Sequence, residues 1–387
     1  MLFPSKERQD DAIKRATESE FAFLDRCSWP AAENVRRLID ECLVQYPEIE
    51  RSELIARIRS GDDRAFCSAT FELFLHEYLR RRDYQLKPHP ELPKGVTTRP
   101  DFLVTCPDGS CFYLEAVSAA ARDGRSQAGQ ALIDTTLQYL TDETHANFFI
   151  DVASTGYPDT QPSGRRLAAV VVAWLDTLDA DEAIAVMERG NFDELPSMEW
   201  THEGWTLTVR ALPCRPDARG RERRLIGAQN FGARWVDGWT PIRDALMTKA
   251  RRYGDTELPL VVAINLSSHS LDEIDEMQAL FGQEQIVLDR KNLDAEPRLE
   301  RARNGAWIGP TGPRSKRCSG AWLFHDVTPY TLSRRKHTLY ANPWAPLQVP
   351  DSFLQSERRA VAVDKRIQRY DGASMGTILG LPEDWPE

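Results

Sequence analysis

The chain predicts a mixed α/β protein in which a central sheet is flanked by helices, with an N-terminal helical extension, an inserted lobe and a C-terminal β-rich region. Three observations carry that expectation. Residues 102–106 and 111–117 are aromatic and β-branched runs separated by Pro107-Asp108-Gly109, the composition of a β-hairpin. The run from Leu258 to Leu266 is almost continuously apolar, as in a strand covered on both faces. Apolar residues recur at helical spacing from Asp63 to Arg82 and again from Thr240 to Tyr253.

In chain order, helices are expected from about Asp10 to Asp25, Trp29 to Gln45 and Ser52 to Arg59, with Pro30 suited to a first helical position. The next helix, Asp63 to Arg82, has a broad apolar side built from Phe66, Phe71, Phe74, Leu75, Tyr78 and Leu79. Glu72 lies within that side. A carboxylate buried there needs a partner or a metal, and His76, one turn on, is the local partner.

The hairpin then brings two acids together. If Gly109 takes a left-handed bulge conformation, Cys106 pairs with Ser110, and counting outward sets Asp101 opposite Glu115 on one face. Opposed residues stand roughly 4.5–5.5 Å apart at Cα, so both carboxylates reach one hard divalent cation. A two-residue loop would put them on opposite faces.

Beyond the hairpin, helices are expected from Gln127 to Leu140 and from Gly164 to Asp176, with a strand from Asn147 to Val152 between them. A second hairpin is expected over 198–213 around Glu203-Gly204. Thr240 reads as an N-cap and Pro241 as the first residue of a helix that Gly254 stops. On that helix Lys249 shares a stripe with Ile242, Ala245, Leu246 and Tyr253, so it faces inward and must snorkel or meet an acid. Short strands follow at 320–325, 327–332 and 338–340, the second confined to an edge by Pro329, and residues 381–387 read as a tail.

Composition bounds the function. With 387 residues, 41% hydrophobic and 28% charged, the chain holds a substantial core and more than one folded unit. Seven cysteines without repeated CxxC spacing argue against a disulfide framework and a zinc ribbon. The longest apolar run, Leu167 to Leu175, is about half of the ~20 residues that cross a bilayer, and the first residues lack a signal-peptide layout. The expected location is the cytoplasm, with no membrane partner.

The net charge of −10 gives no general attraction to nucleic acid. Its distribution is uneven: residues 301–340 carry eight Arg or Lys against Asp326 alone, and 215–224 carry five arginines against two acids. Arg314, Lys316, Arg317, Arg334, Arg335 and Lys336 are therefore candidates for contact with a phosphate backbone, a solvated surface being the alternative. There is no GxxxxGK[ST] loop, so an internal ATPase is not expected.

A helix bearing Glu72, a hairpin bearing Pro100-Asp101 and Glu115, and a helix bearing Lys249 and Tyr253 before a buried strand together resemble the PD-(D/E)xK nuclease superfamily, the restriction endonuclease-like fold. The resemblance covers about 65–120 and 240–266. It implies a domain plan of an N-terminal extension (1–62), a nuclease-like core (63–117 and 239–266), an inserted lobe (118–238) and a C-terminal region (267–387). It further implies Mg2+ or Mn2+ held by Glu72, Asp101 and Glu115, and hydrolysis of phosphodiesters, with DNA as the expected substrate and defence against foreign DNA as the role the family suggests. Partner proteins of a defence system fit that role.

One element departs from the family pattern: the lysine due two residues after the acid is Val117. Lys249, in Lys-xxx-Tyr spacing with Tyr253, is the candidate replacement, Tyr253 supporting the helix position. Arg99, which would oppose Val117, is the second candidate, although a guanidinium stays protonated and only stabilises charge. Two other readings stay open. One is a nucleic-acid-binding or assembly module on the same fold that does not cut. The other is a glycosidase-like carboxylate pair in a cleft lined by Trp200, Trp205, Trp235 and Trp239.

Overall fold

The computed structural model describes residues 1–15, 18–92, 98–120, 127–190, 192–221, 223–229, 238–254, 256–267, 272–287, 298–363 and 366–387. Trp235 lies outside them, as does Glu222 of the arginine-rich stretch. Two compact units divide the chain: residues 1–12, 19–122 and 236–387 form the first, and 13–18 with 123–235 the second.

The first unit is built on an eight-stranded mixed sheet. Its strands run, in spatial order, Gln85–Pro88, Phe102–Thr105, Cys111–Ala120, Leu260–Ser267, Gly320–His325, His337–Ala341, Arg359–Val363 and Arg366–Tyr370. The strand at Leu260–Ser267 pairs in parallel with neighbours on both sides, which explains its unbroken burial from Leu260 to Leu266. Residues alternate between two cores. Phe102, Val104, Phe112 and Leu114 point to the core made with the helices Pro30–Gln45 and Asp63–Arg80. Tyr113, Val262, Ile264 and Leu323 point to the core made with Trp239–Arg252 and Glu273–Phe281.

Several expectations change. The first helix is only Glu20–Arg26, because Ser19 caps it, accepting from the Ala22 amide at 3.3 Å, while Asp10 makes a β-bridge to Cys27. The Lys249 helix starts two residues early at Trp239, with Gly238 rather than Thr240 at its cap. Residues 327–332 are turns instead of an edge strand: the Asn265 side chain takes the Val327 amide and carbonyl, and Thr331 closes onto the Thr328 amide. The C-terminal region supplies four strands of the same eight-stranded sheet. Residues 381–387 are no free tail, since Trp385 is buried and its indole N–H donates to the Pro329 carbonyl at 2.9 Å.

The second unit has a four-stranded sheet in the order Ser197–His202, Trp205–Pro213, Phe148–Gly156, Ile226–Gln229. The hairpin over 197–213 turns at Glu203 and Gly204, both with positive φ (42° and 77°), as the sequence predicts. Trp205 is buried in this unit's core and donates to Ser154 at 2.7 Å, a packing role rather than a cleft lining. None of the seven cysteines is in a disulfide, and among the described residues no helix is long and apolar enough to cross a membrane.

Candidate active site

The geometry begins with the turn. Gly109 has φ 85°, its amide donates to the Cys106 carbonyl at 2.9 Å, and the Cys106 amide donates to the Ser110 carbonyl at 2.8 Å. The register is therefore the bulged one, Thr105 facing Cys111 and Phe102 facing Leu114. One step further sets Asp101 opposite Glu115, on the face that carries Leu103 and Tyr113. Asp101 is held at both ends: its carbonyl accepts from the His89 amide at 2.9 Å and its Oδ2 from the Ala116 amide at 2.6 Å.

Glu115 is buried, and the helix Trp239–Arg252 closes over it. Lys249 Nζ donates to Glu115 Oε1 and the Tyr253 hydroxyl to Oε2, while Arg252 stands 3.6 Å from Oε1. The inward stripe of the sequence thus ends in an ion pair, which is how a lysine is accommodated on a core-facing stripe. Burial, and after it the Glu115 charge, push the Tyr253 hydroxyl above its ordinary pKa, so it stays a donor.

Glu72 approaches from the opposite layer. It is buried, and its partners are not the expected His76 but the Tyr46 hydroxyl at 2.7 Å and Arg57 Nη1 at 2.6 Å. The His76 ring packs against Tyr46 and Phe102, its Nδ1 lacks a hydrogen-bond partner, and burial lowers its pKa to about 4. Among the described residues, the three carboxylate or imidazole donors whose ligand atoms all lie within 4.8 Å of one another are Glu50, Glu53 and His89. Glu72, Asp101 and Glu115 do not form such a set, because Glu72 hangs from a helix on the other face of the hairpin.

The charge of the corner is nonetheless shared. Burial, then the Glu115 and Glu72 carboxylates, raise Asp101 well above the ordinary carboxylate range, against the Ala116 amide and Lys249. Three acids crowd one corner, and Asp101 is the one without a direct cation among the described residues.

Arg99 turns outward to Glu91 at 3.0 Å, and only its carbonyl joins the corner, accepting from the Tyr253 hydroxyl at 3.4 Å. Arg314 is spent partly on structure, its Nε donating to the Gly305 carbonyl at 2.8 Å. Burial and then the neighbouring Arg243 and Arg251 charges depress its pKa, so it shares a basic surface with the helix of Lys249. Lys316 and Arg317 are exposed nearby in sequence. Arg334 reaches the Asp384 carbonyl at 3.3 Å, Arg335 pairs with Asp326 at 3.3 Å, and Lys336 is exposed.

Sequence reasoning misses Tyr46 and Arg57. Tyr46 and Arg57 lie 26 and 15 residues from Glu72, and no local pattern announces either. His89 stands in the rigid Lys-Pro-His-Pro run that leads toward the hairpin, where the sequence favours packing or solvent over the site; its φ of 44° marks the bend that sends its amide to Asp101. Compared with known proteins, the chain matches no family model, no curated protein and no solved structure. Fold and site define a mixed α/β class with an acid corner on the hairpin beside the central strand of its sheet.

Proposed function

We propose that the chain is a metal-dependent nuclease of the PD-(D/E)xK kind, hydrolysing phosphodiester bonds in DNA. The observation that carries this reading is Asp101 opposed to Glu115 on one hairpin face with Lys249 on the second acid. The donor chemistry fits Mg2+ or Mn2+: oxygen ligands only, and an Asp101 whose charged form is disfavoured by burial and then by two neighbouring carboxylates, a cost that a hard cation would relieve. When bound, such a cation supplies an acidified water and neutralises charge on the phosphate.

The protein's own groups do the rest. Asp101 and Glu115 would hold the cation; the Ala116 amide fixes the Asp101 carboxylate and the His89 amide fixes its main chain. Lys249 is positioned to stabilise the nucleophile and a non-bridging oxygen, and the Tyr253 hydroxyl keeps Glu115 turned toward the helix. Glu72 acts on Asp101 through its field and is itself fixed by Tyr46 and Arg57. Arg243, Arg251 and Arg314 offer a basic flank for the strand.

A second reading has its own support. Glu115 takes Lys249 on one oxygen and Tyr253 on the other, as a purely structural acid would. Incubating linear, circular and single-stranded DNA with Mg2+ or Mn2+ separates the two. A nuclease cuts only with metal, loses cutting in Asp101→Asn, and falls by about 10²–10³-fold in Lys249→Met. Binding without cutting by a well-folded parent favours the non-catalytic module.

A further inference from the structure

A pocket of about 330 Å3 lies in the first unit, away from the acid corner, between the loop before His337 and the segment 371–374. Its wall carries Arg334, Arg335, Lys336 and Arg358 against the single acid Asp371. Two of these charges are answered outside the pocket, Arg335 by Asp326 and Arg358 by Glu273 at 3.1 Å. Arg334 is bonded only to a neutral carbonyl, and Lys336 has no ion-pair partner among the described residues. The loops are pressed together before any ligand arrives. A Cβ at Gly372 would stand 2.1 Å from the Arg358 nitrogen, and one at Gly376 would stand 2.5 Å from the Ser333 Cα, so only glycine lets the walls approach this closely.

The inner wall holds two polar groups without partners. The Ser333 hydroxyl and His337 Nε2 are both buried, and neither makes a hydrogen bond. His337 is 2% exposed, and its tautomer is fixed by chemistry: the Trp322 indole N–H can only donate, and it does so to Nδ1 at 3.0 Å. Burial lowers the His337 pKa to about 3, so the neutral ring carries its proton on Nε2. Nδ1 is turned to Trp322 in the sheet, and Nε2 is on the opposite edge, toward Ala373 on the pocket wall. The Ala373 carbonyl acts on that proton and raises the ring's pKa against the effect of burial. Leaving two buried donors unsatisfied is costly, and an acceptor-rich anion satisfies both.

We infer that this pocket binds a phosphate monoester, the two inner donors taking phosphate oxygens while Arg334 and Lys336 neutralise its charge. The ligand is a free mononucleotide or the terminal phosphate of a nucleic-acid strand, since both present the same dianion and the volume exceeds that of inorganic phosphate alone. The inference does not rest on the nuclease reading, because binding requires neither the acid corner nor a metal.

The test is calorimetric titration of the full chain in metal-free buffer, where cutting is silent. Probes are inorganic phosphate, a nucleoside 5′-monophosphate, its parent nucleoside, and one oligonucleotide with either a 5′-phosphate or a 5′-hydroxyl. The expected result is binding of the monophosphate but not the nucleoside, weakened about tenfold in each of Lys336→Gln and Ser333→Ala. A matching preference for the 5′-phosphorylated oligonucleotide assigns the strand end as the source; preference for the mononucleotide alone assigns the free ligand. Because His337→Phe also removes the buried acceptor of the Trp322 indole, the inner donor is read in the parent by the imidazole Nε2–H resonance, which should shift on adding the monophosphate. No binding of any phosphate probe, or binding that ignores Ser333→Ala and leaves that resonance in place, overturns the proposal.

Discussion

Asp101 and Glu357 are two acids that each precede a strand of the eight-stranded sheet and that the protein treats in opposite ways. Glu357 is fully buried, with the Arg82 guanidinium on Oε1 and the Tyr78 hydroxyl at 2.8 Å on Oε2, and every neighbour that acts on it counters the cost of burial. Asp101 has a backbone amide, with two further carboxylates adding to that cost. The Glu357 pattern recurs. Glu276 takes the Tyr340 hydroxyl at 2.6 Å and His325 at 2.8 Å, Glu72 takes Tyr46 and Arg57, and Glu115 takes Tyr253 and Lys249. A tyrosine hydroxyl on one oxygen and a basic side chain on the other recurs at four of the five buried glutamates among the described residues, Glu77 taking Arg80 and Arg81 instead. Glu115 alone is thus unremarkable in kind, and what sets its corner apart is the uncompensated aspartate beside it.

The comparison breaks first on activity. Asp101→Asn should abolish metal-dependent cutting, whereas Glu357→Gln should leave cutting per folded molecule unchanged while costing about 3–5 kcal/mol of stability, because it strands Arg82 in a buried site. Cleavage rates normalised to the folded fraction from urea melts give both numbers. Equal losses of cutting in the two variants would erase the distinction.

A second contrast concerns acid. His76 and His337 have pKa values lowered by burial to about 4 and about 3. Both are neutral in the folded chain while the unfolded chain takes up protons below about pH 6.5. Stability is therefore complete above that pH and should fall as pH drops toward 4, by on the order of 3 kcal/mol from His76 alone. Urea midpoints measured from pH 7 to pH 4 check this, and His76→Phe should flatten the slope.

Asp101 has the opposite sign. Its folded pKa is raised, so its contribution is favourable below the unfolded value and is lost as pH rises through the folded one. Asp101→Asn should then raise the melting temperature of the metal-free chain at neutral pH by about 2 °C, and have no such effect in acid. A fall at neutral pH would mean that the carboxylate is a structural partner like Glu357.

Much of this corner is legible in the sequence because its determinants are local. Pro107-Asp108-Gly109 sets a turn, the turn sets the register, and period-2 alternation then fixes which residues share a face with Asp101. The inward direction of Lys249 follows from helical spacing, although its partner does not. Tyr46 and Arg57 are not legible, since long-range packing of three helices delivers them to Glu72. The turns at 327–332 depend on the Asn265 side chain, 62 residues earlier, which overrides a strand-like composition. The seat of Trp385 is likewise a contact 56 residues away, invisible to any local pattern.

The most direct measurement is thermal unfolding of the parent and Asp101→Asn with and without Mn2+. Metal held at the acid corner stabilises the parent by about 2.7 kcal/mol at a hundredfold excess over its dissociation constant, and leaves Asp101→Asn where it was. No metal-induced shift in the parent, or the same shift in both proteins, would contradict the account, the second outcome moving any metal to Glu50, Glu53 and His89.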